Sequence, residues 1–198
     1  SVGGNSFGLA SGERALGLRS DVLVRSRNWY DHPARINLDL QNCSSKLMQL
    51  WSLLAAFVKI RKKYDVFHFN FGSSLLHSLA GNIILFDLPF YPKRAKLFAT
   101  YNGCDARQKY PTMARAGISA CQNPDCYNGM CNSGRLDRRR ARSIAKMARY
   151  VKHIWALNPD LLYFLPPDKA SFLPYSLLSE SDRRFIPCFD EKLIVVHA

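Results

Sequence analysis

Three short groups of residues carry side chains suited to holding a polar or anionic ligand. The first is Gly3, Gly4 and Asn5, near the start of the sequence. The second is Asn70, at the end of the apolar run YDVFHFNFG. The third is the stretch Asn102, Gly103, Cys104, Asp105, Ala106, Arg107. Glycines leave backbone N–H groups open to close approach. Asparagines both donate and accept hydrogen bonds, and the Arg107 guanidinium can grip a phosphate or carboxylate through two parallel N–H bonds. Asp105 can bind a hydroxyl or can serve to orient Arg107. The helix expected to start at Asn5 would add an N-terminus, where phosphate is favoured.

Two further stretches have chemical potential of another kind. ACQNPDCYNGMCNSGR places Cys121, Cys126 and Cys131 at equal intervals, C-x4-C-x4-C, with Cys104 as a candidate fourth ligand. Thiolates suit zinc, so a structural zinc is one reading of Cys121, Cys126 and Cys131; free thiols and a disulfide are the others. Cys43 and Cys188 read as plain core or loop residues. From Arg135 to Lys152 there are eight basic residues and one acidic residue, with Ile144, Ala148 and Val151 on one helical face. That pattern predicts a helix packed on its apolar side with arginines turned outward. The outer face is either simply solvated or a surface for anionic membrane headgroups. His68, His77 and His153 read as structural histidines, because none sits in a catalytic spacing.

The elements that must position these residues alternate between strand and helix. A helix is expected from Asn5 to about Gly17, a strand over SDVLVR at 20–25, a loop over 26–42, and a helix over 44–63. Strands follow at 64–70 and 96–101, separated by a helix opened by Ser73 or Ser74. A polar irregular segment covers 104–134. The basic helix, a strand at 153–157, a short helix over NPDLLYFL, a short extended piece SFLPYS, and a last strand KLIVVHA complete the pattern. Such alternation predicts an α/β fold, a doubly wound and mostly parallel sheet with helices on both faces. In an open parallel sheet, ligands bind beyond the carboxyl ends of the strands. Gly3, Gly4, Asn5, Asn70, Asn102, Gly103, Asp105 and Arg107 all follow such ends, the first three assuming a strand before Gly3.

Composition narrows the class. The chain has 198 residues, 47% of them hydrophobic, which allows one substantial core. No apolar stretch approaches the ~20 residues of a membrane span. Lys and Arg number 28 against 15 Asp and Glu, a formal net charge of +13, which favours anionic partners. Six cysteines are too few for a disulfide scaffold. No helix-turn-helix, RNP or zinc-finger pattern is present, which speaks against nucleic acid.

The segments VGGNSFGLASGERALGLRSDVLV, YDVFHFNFGSSL, LFATYNGCDAR, WALNPDLLYFLP, SFLPYS and KLIVVHA stand in the order seen in family 4 glycosyltransferases of the GT-B fold. The chain thus resembles the N-terminal, acceptor-side domain of that family, a Rossmann-like unit, over nearly its whole length. The resemblance implies an acceptor-side domain at 1–190, with 104–134 as a cysteine-containing insertion. It implies that 191–198 is the first strand of a C-terminal domain that binds a nucleotide sugar. Gly3 and Gly4 match the family's glycine loop. NGCDAR matches a segment commonly written HGSD-[VI]-R, with Asn102 in place of His and Cys104 in place of Ser. The activity implied is retaining transfer of a sugar from a nucleotide-diphosphate sugar to a hydroxyl of a glycan or lipid-linked acceptor. The setting implied is bacterial glycan or glycolipid synthesis in the cytoplasm, with residues 135–152 able to rest on the inner membrane face. No catalytic cofactor is implied. The alternative is a non-catalytic basic module, zinc-stabilised or not, that recognises anionic surfaces or nucleic acid.

Overall fold

The computed structural model describes residues 4–26, 34–77 and 84–175. The expectations for Gly3, Cys188 and the final strand at 191–198 lie outside these residues. The elements are α1 (Asn5–Ala15), β1 (Leu23–Val24), β2 (Ile36–Asn37), α2 (Lys46–Ile60), β3 (Val66–Asn70), β4 (Lys96–Tyr101), α3 (Lys109–Arg115), α4 (Arg135–Tyr150), β5 (His153–Ala156) and β6 (Ala170–Phe172).

Among the described residues every strand ladder is parallel. The main sheet has the order β3-β4-β5-β6, with Phe67 opposite Leu97 and Ala99 opposite Ile154. The strand expected at 20–25 does not join this sheet. Only Leu23–Val24 is extended, and it pairs with β2 in a separate two-stranded sheet. The segment expected to be loop at 26–42 contributes β2 and a 3-10 turn at Leu40–Asn42. The fold is therefore α/β with parallel sheets.

The core follows from the pleat. Phe67, Phe69, Leu97, Ala99, Tyr101, Ile154 and Ala156 alternate onto one sheet face and are buried. Phe57 from α2, Ile144 and Met147 from α4, and Leu76, Leu85, Leu88 and Tyr91 from the connections join them in one cluster. Tyr91 is its aromatic hub: its ring stands edge-on to Phe57, Phe67 and Phe69, with centroids 5.2, 4.6 and 5.5 Å away. A smaller cluster of Ala10, Val22 and Val24 lies under α1. The opposite sheet face carries His68, Phe98, Thr100, His153, Trp155 and Ser171.

Two helix starts show how local chemistry sets the ends. Ser45 caps α2 by accepting from the Met48 N–H at 3.2 Å. The helix expected from Ser73 does not form over the described part: residues 71–77 are turns. The Ser74 hydroxyl donates to the Asp87 carboxylate instead of capping, and Phe71 and Gly72 are both left-handed, at φ 56° and 52°. Gly72 is required there, since a Cβ would lie 2.1 Å from Tyr101 Cε1.

Candidate functional site

The carboxyl ends of β3 and β4 lie side by side, because Asn70 is opposite Thr100 and the Gly72 N–H donates to the Thr100 carbonyl. α1 starts at the same edge. Gly4 precedes it in the left-handed conformation, φ 69°, and accepts from the N–H groups of Phe7 and Gly8 at 2.9 and 3.0 Å. Asn5 does not cap the helix with its side chain. It is 1% exposed, and its Nδ2 donates to Asn70 Oδ1 at 3.4 Å. Gly4, Asn5 and Asn70 are thus brought together as the sequence suggested. Ser73 locks the turn by donating to the Asn70 carbonyl at 3.0 Å.

Beyond β4 the turn 102–107 is organised from inside by Asp105. Its carboxylate accepts from the Asn102 N–H at 3.0 and 3.1 Å and from the Gly103 N–H at 2.6 Å. Asp105 therefore neither reaches outward for a hydroxyl nor orients Arg107; it shapes the backbone that presents Asn102 and Gly103. Burial pushes its carboxyl above the ordinary value, against the opposing pull of these backbone bonds. Arg107 is engaged elsewhere. Its Nε and Nη2 donate to Asp160 Oδ2 at 2.9 and 2.7 Å, a pair with the arginine 26% and the aspartate 46% exposed. Burial works against the Arg107 charge, but the Asp160 bond outweighs it and holds the guanidinium above its usual value.

Two polar atoms at this edge are buried without a hydrogen-bond partner among the described residues: Asn102 Oδ1 and the Tyr101 hydroxyl. Buried polar groups are nearly always satisfied, and leaving one unpaired costs about 1–3 kcal/mol. Asn158, after β5, fixes Asn102 from the main-chain side by donating from Nδ2 to the Asn102 carbonyl at 2.6 Å. Tyr101, Asn158 and Asp160 were not singled out in the sequence. Asn158 and Asp160 also follow a strand's carboxyl end, so the same topological rule applied to 153–157 would have found them.

His68, behind the β3 tip, is close to Thr100 Oγ1 at 2.6 Å, and its ring lies 5.1 Å from that of Trp155. Burial pulls its imidazole down to about 4, so it is neutral and structural. His153, which showed no partner in the sequence, meets Ser171 Oγ at 2.7 Å.

The cysteine segment carries the thiols read from the sequence as candidate zinc ligands. Among the described residues no three His, Cys, Asp or Glu side chains form a group able to hold a metal ion. Cys121, Cys126 and Cys131 are free thiols; Cys131 is buried and takes a weak contact from Arg140 Nη1 at 3.8 Å. The segment is held by other means. Asp137 of α4 accepts from the N–H groups of Lys109 and Tyr110 at 2.8 and 3.0 Å, and Lys109 Nζ donates to Asn132 Oδ1 at 2.8 Å. On α4, Ile144 and Met147 face the core, and Arg135, Arg138, Arg139, Arg142 and Arg149 are exposed. Among the described residues no helix is long and apolar enough to cross a membrane.

Compared with known proteins, the chain matches no family model, no curated protein and no solved structure. The residues themselves carry the functional reading.

Proposed function

We propose that this chain is the acceptor-side domain of a retaining GT-B glycosyltransferase, moving a sugar from a nucleotide-diphosphate sugar to a hydroxyl of a glycan or lipid-linked acceptor. The observation that carries the reading is the convergence of Gly4, Asn5, Asn70 and the 102–107 turn on one carboxyl edge of a parallel sheet, with Asn102 Oδ1 and the Tyr101 hydroxyl buried there without a hydrogen-bond partner among the described residues. Groups of this kind suit sugar hydroxyls, which both donate and accept. The ordered motifs of the sequence supply the family, and the donor diphosphate would be met mainly by the second domain that the family resemblance implies. Catalysis would rest on holding donor and acceptor in one geometry, a contribution that reaches about 7–11 kcal/mol. The site would work from the cytoplasmic side, with α4 against the inner membrane face.

The exposed arginines of α4 favour a second reading, a binding module for anionic surfaces without catalysis. One experiment separates the two. Nucleotide sugars, short glycans and acidic vesicles are titrated against the chain by calorimetry at low and high salt. Saturable glycan or nucleotide-sugar binding that Asn102→Ala weakens at least tenfold supports the transferase. Binding to vesicles alone, lost in salt and indifferent to Asn102→Ala, overturns it.

A further inference from the structure

α2 is apolar on the side where a surface helix is expected to be polar. At about 100° per residue, Leu47, Trp51, Ala55 and Val58 fall on one stripe, with Met48 at its border. The core side of the helix is a different set, Leu53, Phe57 and Ile60, which packs into the main cluster. The outer set is open: Trp51 is 66% exposed, Leu47 64%, Val58 60% and Met48 53%. Single exposed apolar residues are ordinary, but a line of them along about three turns marks an interaction surface.

The surface continues beyond the helix. Arg61 Nη1 donates to the Phe90 carbonyl at 3.2 Å, which ties the end of α2 to the turn Leu88–Phe90. There the exposed rings of Phe86 and Phe90 stand with centroids 5.3 Å apart. The same turn touches α4, and Lys146 of α4 donates to the Ile84 carbonyl at 2.7 Å. α2, this turn and α4 therefore form one layer over the sheet face that carries Phe67, Leu97 and Ile154.

Charge decides what this layer faces. Between Asp39 and Asp65 the sequence has no acidic residue, while Lys46, Lys59, Arg61, Lys62 and Lys63 are basic. Arg61 is engaged with Phe90 and stands over the Phe57 ring, 5.7 Å from its centroid. The lysines are exposed: Lys46 on one flank of the stripe, Lys59 and Lys63 on the other, Lys62 at its end. Arg94, which donates to the Lys62 carbonyl at 3.0 Å, is offset by Asp65 at 3.4 Å. An apolar ridge that contains a tryptophan and has lysines on both flanks matches the boundary between lipid headgroups and acyl chains. The ring and methyl groups enter, and the long lysine stems let the ammonium groups rise to the phosphates. A neutral protein groove offers no counter-charge to these lysines; an anionic bilayer offers it all round the ridge.

We propose that α2 is an interfacial helix that inserts its Leu47–Val58 stripe into an anionic bilayer, with Phe86 and Phe90 beside it and the arginines of α4 on the neighbouring headgroups. The inserting element is α2 and not α4, whose exposed face is arginine-rich. The surface belongs to a helix layer and not to the strand tips, so it stands whether or not the chain transfers sugar.

The test uses the 198-residue chain and vesicles of phosphatidylcholine with about one-third phosphatidylglycerol. Leu47→Ser combined with Trp51→Ser is expected to weaken vesicle binding at least tenfold and to leave the urea midpoint unchanged, because both side chains are exposed. Trp51→Phe keeps binding within about twofold. Lipids brominated in the acyl chain quench tryptophan emission; the chain has three tryptophans, so the Trp51 share is the excess quenching of the parent over Trp51→Phe. Binding weakens in about 0.5 M salt but persists, since insertion is not screened. Absence of vesicle binding overturns the proposal. So does binding that the double variant leaves undiminished, including the case in which that variant instead dissolves a dimer seen by sedimentation. Equal quenching of the parent and Trp51→Phe, with binding abolished by salt, also overturns it and assigns the contact to α4 alone. If the double variant fails to fold, the quenching comparison still decides.

Discussion

Consider a His68→Gln variant compared with the parent chain by urea unfolding at pH 8 and pH 5. Glutamine keeps a polar partner for Thr100 and removes the titration. In the folded protein burial holds His68 at about 4, against an unfolded value near 6.5. Between those values the unfolded chain binds a proton that the folded chain does not, so stability falls as the pH drops from about 7 toward 4. The full penalty is the difference of about 2.5 pH units at 1.36 kcal/mol each, about 3 kcal/mol. At pH 5 roughly 2 kcal/mol of it is already felt, which corresponds to about 4–8 °C in Tm for a chain of this size. The variant should therefore lose about 2 kcal/mol less than the parent on going from pH 8 to pH 5. His77, also lowered chiefly by burial, is present in both proteins and cancels in the difference. An acid loss identical in the two proteins would mean that His68 is not buried as a neutral ring between Thr100 and Trp155.

Substitutions at three further places test the site's framework. Gly72→Ala places a Cβ 2.1 Å from the Tyr101 ring at φ 52° and should cost about 2–5 kcal/mol, read from urea midpoints; a loss under 1 kcal/mol would refute the close approach. Asp105→Ala strands the Asn102 and Gly103 N–H groups and should cost about 2–4 kcal/mol, with Asp105→Asn in between. Because burial raises the folded carboxyl, the parent's margin over Asp105→Asn should be largest below pH 4 and shrink as pH rises, and the reverse trend would count against that assignment. A double-mutant cycle on Arg107 and Asp160 should give a coupling of only about 0.5–1 kcal/mol, reduced in 1 M salt; a coupling above 2 kcal/mol would show the pair to be far better shielded than its exposure implies.

Elements whose signal is local were legible from the sequence. α2 has a Ser cap and helical spacing, β4 has a continuous apolar run, and α4 has a one-sided apolar face; all lie where periodicity placed them. What escaped depends on distant partners. α3 lies inside a segment expected to be irregular and carries Pro111, and its leading N–H groups are satisfied by Asp137, 28 residues away from Lys109. Ser74 looked like a cap until Asp87 claimed its hydroxyl. β2 is two residues long and holds no periodicity to read. Within the site, residue types and strand ends were enough to choose Asn5, Asn70 and Asn102. They could not reveal that Asp105 folds inward or that Arg107 is paired with Asp160, because both are facts about which neighbour wins a competition for one side chain.

The main sheet lists its strands in chain order, β3-β4-β5-β6. As the polypeptide leaves the ribosome, each new strand can dock on the outer edge of what has already formed, and none must be threaded between two others. Parallel pairing forces long connections and slow closure. Building outward one strand at a time limits that cost, since only a single edge waits for its partner at any moment of synthesis. The vulnerable interval is then the long wait between β4 and β5, during which the hydrogen-bonding edge of Lys96–Tyr101 stands open until α4 has been made.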